Sequence, residues 1–199
     1  MRTSKRIQIL ILLGFSFIVL YIATNRFHFI QPFEIPFTVA DQLVGFDPKW
    51  VWIYLLTYPY VVLPVLLIRK EFEVEAFSKA FVAVLSLSAV IFVVYPTTML
   101  RPLADPASSL SELALEWLRM ADTPANCVPS AHVSLSLLAS FALARVTARC
   151  AIKTVLWIFF FAICFSTMAV KQHVVIDVLS GATVGVGGIM VLIRAARKP

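Results

Sequence analysis

The chain has 199 residues, 60% of them hydrophobic, with a mean hydropathy of +0.90 and a formal charge of +6. Soluble domains of this length are far less apolar, so a water-soluble globule is excluded as the default class. The basic balance then reads as cationic flanks holding membrane segments in place, rather than as a nucleic-acid surface.

The N-terminus, Met1 to Arg6, is basic and leads into an apolar run from Ile7 to Thr24. A secretory leader would be followed by a small-residue cleavage site. Thr24-Asn25-Arg26-Phe27 is a poor one, so the run reads as a first span. Crossing the hydrocarbon takes roughly 20 helical residues. By that measure the chain predicts six spans, at about 7–24, 50–68, 77–95, 129–148, 152–171 and 173–193. The expected fold is all-α: a polytopic membrane protein, one six-helix bundle over residues 1–199. Prolines fall mostly between the spans, but Pro59 and Pro64 lie inside the second and predict a kink there.

Lysine and arginine set the expected direction. On one side fall Arg2, Lys5, Arg6, Arg69, Lys70, Lys79, Arg145, Arg149, Lys153, Arg194, Arg197 and Lys198. The other side holds only Arg26, Lys49, Arg101, Arg119 and Lys171. The positive-inside rule therefore predicts cytoplasmic termini and an even number of spans. The outer connections are the long ones, about 25–49 and 96–128. Within the second, Ser109-Leu110-Ser111-Glu112 is a capping-box pattern. Leu110, Leu113, Ala114, Trp117 and Met120 then recur at helical spacing, which predicts a short amphipathic helix on the outer surface. Gly181 and Gly185 form a GxxxG spacing and predict close packing of the sixth span. Cys127, Cys150 and Cys164 lack metal or redox spacing and read as small apolar-tolerant residues. His28, in the first outer connection, has no partner pattern and reads as a surface histidine.

Polar residues with chemistry to offer come from three stretches: Arg101-Pro102; Asn126 to His132; and Lys171, His173 and Asp177. The predicted topology places all three at the outer ends of the last four spans. His173 and Asp177 are four residues apart, on one face of the sixth predicted helix. An unpaired carboxylate well inside a bilayer costs at least ~2.5–3.5 kcal/mol on insertion scales, so Asp177 needs a partner, and His173 is nearest. A carboxylate accepting from Nδ1 fixes the tautomer and leaves Nε2 as a nucleophile or base. Pro129-Ser130-Ala131-His132 opens the fourth span, with Pro129 at the helix start and Ser130 as its cap. Free N–H groups there make an anion site, with His132 in the first turn. Arg101 and Lys171 are among the few outer cations and suit a phosphate.

Arg101-Pro102, then PSAH at 129–132, then His173-xxx-Asp177 resembles the three-part signature of the type 2 phosphatidic acid phosphatase superfamily. The likeness covers essentially the whole chain. The family pattern is KxxxxxxRP, PSGH and SRxxxxxHxxxD. Here Val94 stands at the first lysine, Ala131 at the glycine and Thr167 at the arginine of the third motif. The Ser166-Thr167 to Lys171-Gln172-His173 form is similar to the branch holding sphingolipid head-group transferases and related bacterial phosphatases. The resemblance implies a phosphohistidine on His173, oriented by Asp177, with His132 as acid and base. It implies phosphate binding by Arg101, Lys171 and the Ser130 and Ala131 N–H groups, without metal or cofactor. The expected substrate is a lipid phosphate or isoprenoid pyrophosphate at the outer membrane face. Two other readings stand beside this phosphatase: a phosphotransferase passing the group to an alcohol, and a non-catalytic transporter or scaffold.

Overall fold

The computed structural model describes residues 3–197, so Arg2 and Lys198 of the charge pattern lie outside the described residues. The first helix, α1, runs Thr3–Arg26 with one wider π-turn at Ile18–Ile22. The second predicted span is not one helix. A 3-10 turn at Pro48–Trp50 leads into α3 (Val51–Leu55), α4 (Thr57–Tyr60) and α5 (Leu63–Leu67). Pro59 has no N–H for the Leu55 carbonyl, and Pro64 has none for that of Tyr60. Two missing bonds between Leu55 and Pro64 break this segment rather than merely bend it. Helix α2 (Val39–Leu43) precedes it in the first long connection.

The remaining long helices are α6 (Glu71–Val94), α8 (Ala131–Val146), α9 (Cys150–Ala169) and α10 (Val175–Ala195). Among the described residues, four helices are long and apolar enough to cross a membrane: Thr3–Arg26, Glu71–Val94, Cys150–Ala169 and Val175–Ala195. Helix α8 is apolar but shorter, at 16 residues. It begins at Ala131 rather than Pro129, because Ser130 takes the capping position with extended ψ.

Helix α8 is the axis of the bundle and packs against α6, α9 and α10. Leu13, Val65, Phe77, Leu85, Leu138, Ile163 and Leu192 meet in one core drawn from all these helices and α1 and α5. In lipid, such packing relies on close fit rather than on water exclusion. Gly181, Gly185 and Gly188 of α10 provide the fit. A Cβ on Gly181 would lie 2.6 Å from the Ser130 carbonyl oxygen, and one on Gly185 would lie 2.9 Å from Leu137. Gly181→Ala is expected to push α10 off the Ser130 turn and cost about 1–3 kcal/mol, the range for overpacking. The measurement is thermal unfolding in detergent, and an unchanged midpoint would show that the turn yields freely.

At the other end of α8 from Arg145 the two long connections join into one layer. Strand β1 (Phe33–Glu34) pairs in parallel with β2 (Thr97–Thr98), and Thr98 bridges Ala125. Buried Asn25 fastens α1 to the same layer, donating to the Thr123 and Ala125 carbonyls and accepting from Thr123 N–H. Helix α7 (Leu110–Ala121) forms, capped by the Ser109 hydroxyl, which accepts from Glu112 N–H. The Glu112 carboxylate turns instead to Asp105 N–H and the Ser108 hydroxyl. The buried face of α7 differs from the expected stripe. Leu115 and Leu118 pack on Val51, Tyr54 and Val170, whereas Leu110, Trp117 and Met120 are exposed. The helix has two apolar stripes, and spacing alone does not say which one meets the bundle.

Candidate active site

His132 and His173 face one another across the end of the bundle, with ring centroids 5.7 Å apart. Each comes from a different local device. His132 is the second residue of α8, fixed in the first turn by the Ser130 cap, whose hydroxyl accepts from Val133 N–H. The Ser130 N–H itself donates to the Asp177 carbonyl at 3.1 Å. That bond withdraws it from the anion site expected at this helix end. By helix geometry the N–H groups of Ala131 and His132 remain without an intrahelical partner.

His173 does not lie on the sixth helix as the four-residue spacing suggested. Helix α10 starts at Val175, and His173 sits in the turn before it. The reason is the way α9 ends. Lys171 adopts a left-handed backbone with φ of 53°. Its N–H bonds the Met168 carbonyl at 3.1 Å, and Gln172 N–H bonds that of Thr167 at 3.0 Å, which is a Schellman cap. His173 N–H joins the Thr167 carbonyl as well. The cap uses up the residues that would have begun the next helix. Asp177 is then the third residue of α10, and its Oδ2 accepts both Val174 N–H at 3.0 Å and His173 Nδ1 at 3.1 Å. The expected pairing therefore forms through a helix cap rather than along a helix face. Asp177 is fully buried, and its Oδ1 has no hydrogen-bond partner among the described residues.

Lys171 is directed away from its expected role. Its ammonium donates to the carbonyls of Asp41, at 2.9 Å, and Val44, and lies 5.4 Å from the Phe37 ring. The Asp41 carboxylate in turn accepts Val175 N–H at 2.6 Å. Together these bonds clamp the His173 turn to α2. A left-handed backbone costs a non-glycine residue roughly 1–2 kcal/mol, and the side-chain tether offsets it.

Arg101 donates to the carbonyls of Asp122 at 2.8 Å and Thr123 at 3.0 Å. Arg119 on α7 donates to the Pro102 carbonyl at 2.7 Å and reaches that of Val170 at 3.5 Å, linking two of the site-bearing stretches. Both arginines have a buried Nε without a partner among the described residues. Burial and then repulsion from Arg101 push the Arg119 guanidinium below its ordinary pKa. Two neighbouring guanidiniums concentrate positive charge here, a surrounding that favours an anion.

Asp122 is buried beside them. Tyr21 donates to its Oδ1 at 3.1 Å. The Tyr54 hydroxyl stands 3.4 Å from both Asp122 Oδ2 and His132 Nδ1. Burial raises the Asp122 pKa above the usual carboxylate range, against the opposing charge of Arg101 and the hydroxyls of Tyr21 and Tyr54. The structure thus brings together Ser130, Ala131, His132, His173 and Asp177, with Arg101 at Asp122. It adds Asp41, Tyr54, Arg119 and Asp122, which sequence reasoning missed. Only Asp41 had a local signal, since Thr38-x-x-Asp41 is a capping pattern and forms as one. Of the residues that replace family cations, Thr167 is buried in α9 and Val94 is exposed at the end of α6.

Comparison with curated proteins finds no match. The profile of a family described as the PAP2 superfamily matches residues 27–191, a stretch that includes Arg101, His132, His173 and Asp177. With most of its length inside that match, the chain belongs to the PAP2 superfamily.

Proposed function

We propose that the protein is a membrane lipid phosphatase that works through a phosphohistidine on His173. Members of the superfamily are typically phosphatases, which gives phosphatase- or phosphotransferase-type activity at the coarse level. The observation that carries the finer reading is the His173–Asp177 pair facing His132 at 5.7 Å. Asp177 accepts from Nδ1, so Nε2 carries the lone pair. That nitrogen attacks phosphorus. The bond to the lipid oxygen breaks, and His132 gives that oxygen its proton. A water molecule then loses a proton to His132 and attacks the phosphohistidine, the P–N bond breaks, and phosphate leaves with His173 again a neutral imidazole and His132 again the imidazolium that began the cycle. Arg101, Arg119 and the Ala131 and His132 N–H groups hold the charge that develops on the phosphoryl oxygens. Lys171 acts as a tether of the His173 turn.

The proposed topology has six crossings, with cytoplasmic termini and an outward-facing site. It is supported by the bonds of Lys5 with Glu71 and Glu75, of Arg6 with the Leu66 and Ile68 carbonyls, and of Arg145 with Glu73, all at the end of the bundle away from the histidines. The phosphotransferase reading, with an alcohol in place of water, is favoured by the burial of both imidazoles, which are only 4–5% exposed. The test is a panel of lipid phosphates and isoprenoid pyrophosphates given to the purified protein in EDTA, assayed for phosphate and for new lipid. Phosphate release with a quench-trapped phosphohistidine is the expected result. A new phospholipid without free phosphate would select the transferase, and turnover that stops in EDTA would refute the metal-free scheme.

A further inference from the structure

A cavity of 790 Å³ lies at the end of the bundle away from the histidines. Arg69 and Lys70 line it from the connection between α5 and α6. Arg145, Arg149 and Glu73 line it as well, the first two from the end of α8 and the start of α9. Leu143, Ile152 and Leu156 give it an apolar wall. Its size is within the ~300–1,000 Å³ typical of pockets that take a whole ligand.

The cations here outnumber their partners. The chain has 11 acidic residues, and only Glu71, Glu73 and Glu75 fall at this end. Lys5 pairs with Glu71 and Glu75, and Arg145 pairs with Glu73 at 3.3 Å. Nearby backbone acceptors are occupied too, since Arg6 donates to the Leu66 and Ile68 carbonyls. Among the described residues, Arg69 and Arg149 are left with no side-chain hydrogen bond or ion pair, and Lys70 has only the Phe72 ring, 6.0 Å away. Like charges converging on one cavity repel, and an anion between them reverses the sign of that interaction. The positive-inside rule accounts for cations in these connections but not for their exact positions. Lys70 is the N-cap of α6 and Arg149 that of α9, and neither side chain caps its helix. A basic side chain cannot accept from a helix N–H, and it opposes the positive end of the helix dipole. Both choices break a local rule at the same cavity, as happens where a ligand supplies the missing charge.

We infer that this cavity binds the head group of an anionic phospholipid, with Arg69, Lys70 and Arg149 on its phosphate and Leu143, Ile152 and Leu156 against its first acyl carbons. Leu67 and Ile152 line the cavity and are also exposed, which opens it sideways to hydrocarbon in the proposed topology. That topology turns this end to the cytoplasmic leaflet, whose anionic lipids attract basic residues. A bare phosphate would leave the apolar wall uncovered. The bound lipid bridges the two short connections and stabilises the bundle by mass action. This site is separate from the chemistry at His173 and does not depend on it.

The test titrates the full chain, in a neutral detergent, with phosphatidylglycerol, phosphatidylcholine of the same chains, and inorganic phosphate. Apparent affinity is read from the thermal midpoint and from bound lipid in native mass spectra. Phosphatidylglycerol is expected to bind roughly tenfold or more tightly than phosphatidylcholine, with the advantage falling as salt rises. One cation near an anionic lipid is worth about fivefold in affinity, so Arg69→Gln and Arg149→Gln should each weaken phosphatidylglycerol by about that factor. The triple variant Arg69→Gln, Lys70→Gln, Arg149→Gln should weaken it roughly tenfold or more. Without lipid, the triple variant should unfold at the same or a higher temperature, because unpaired like charges are removed. A lower midpoint would mean that these cations already have partners in the fold, and would overturn the inference. Neutralising Lys79, Arg194 and Arg197, which do not line the cavity, should leave the affinity within about twofold. An equal loss in that control would show a diffuse charge effect and overturn it too. So would equal affinity for the two lipids, or saturation by inorganic phosphate at the same concentration as by phosphatidylglycerol.

Discussion

His173→Ala is expected to lower turnover of the lipid phosphate by roughly 10⁴–10⁶-fold, the scale on which deletion of a covalent nucleophile is felt. No trapped phosphoenzyme should form. Asp177→Asn is expected to cost less, roughly 10²–10⁴-fold, because the imidazole stays but its tautomer is no longer dictated. The two variants also separate chemistry from structure. Asp177 Oδ2 accepts the Val174 N–H that starts α10, and asparagine keeps an oxygen for it. The Ser130 bond goes to the Asp177 main-chain carbonyl and survives the change. The folded state of Asp177→Asn should therefore hold, with the loss confined to the rate of phosphoenzyme formation. Rapid-quench measurement of that rate, with thermal unfolding as control, decides the matter. A His173→Ala protein with wild-type turnover would sink the scheme.

The second large effect is expected at His132 and its support. His132→Gln should reduce hydrolysis of an alkyl lipid phosphate by roughly 10²–10⁴-fold, as loss of a general acid does. The deficit should shrink for an aryl phosphate, whose leaving oxygen needs no proton. An equal loss on both would assign His132 to binding instead. The Tyr54 hydroxyl stands 3.4 Å from both Asp122 Oδ2 and His132 Nδ1, so Asp122 is expected to act on His132 through it. Asp122→Asn should move the pH profile of kcat on the alkyl substrate while Tyr54→Phe reproduces the same displacement. Stability supplies an independent readout. Burial raises the Asp122 pKa, so the folded chain keeps this proton at pH values where the unfolded chain has released it. Stability from this group is thus fully present below the ordinary carboxylate range and declines as pH rises through the raised value. Asp122→Asn removes that decline, and its stability relative to wild type should grow from pH 4 towards neutrality. A difference that stays constant across that range would show that Asp122 titrates normally.

Much of the bundle could be read from local pattern. Apolar runs predicted the long helices because helix formation in lipid depends on composition over some 20 consecutive residues. Pro59 and Pro64 predicted a disturbance where the structure breaks, since a missing N–H acts within one turn. Ser130 predicted a cap, and Gly181 and Gly185 a close approach. His173 and Asp177 predicted each other, and they pair even though a cap rather than a helix face holds them.

What the residues by themselves determined was therefore whatever acts over four or five positions: helix content, breaks, caps, the His173–Asp177 pair and the motifs that mark the superfamily. The tertiary structure decided the rest. Tyr54 reaches His132 across 78 residues, Tyr21 reaches Asp122 across 101, and Lys171 reaches Asp41 across 130. No periodicity carries such pairings, because they arise only when helices and connections far apart in the chain pack together. For the same reason Lys171 looked from its neighbours like a cation beside His173 for holding a phosphate. The left-handed turn that ends α9 aims it at the first connection, and Arg119, 52 positions earlier, lies beside Arg101 instead.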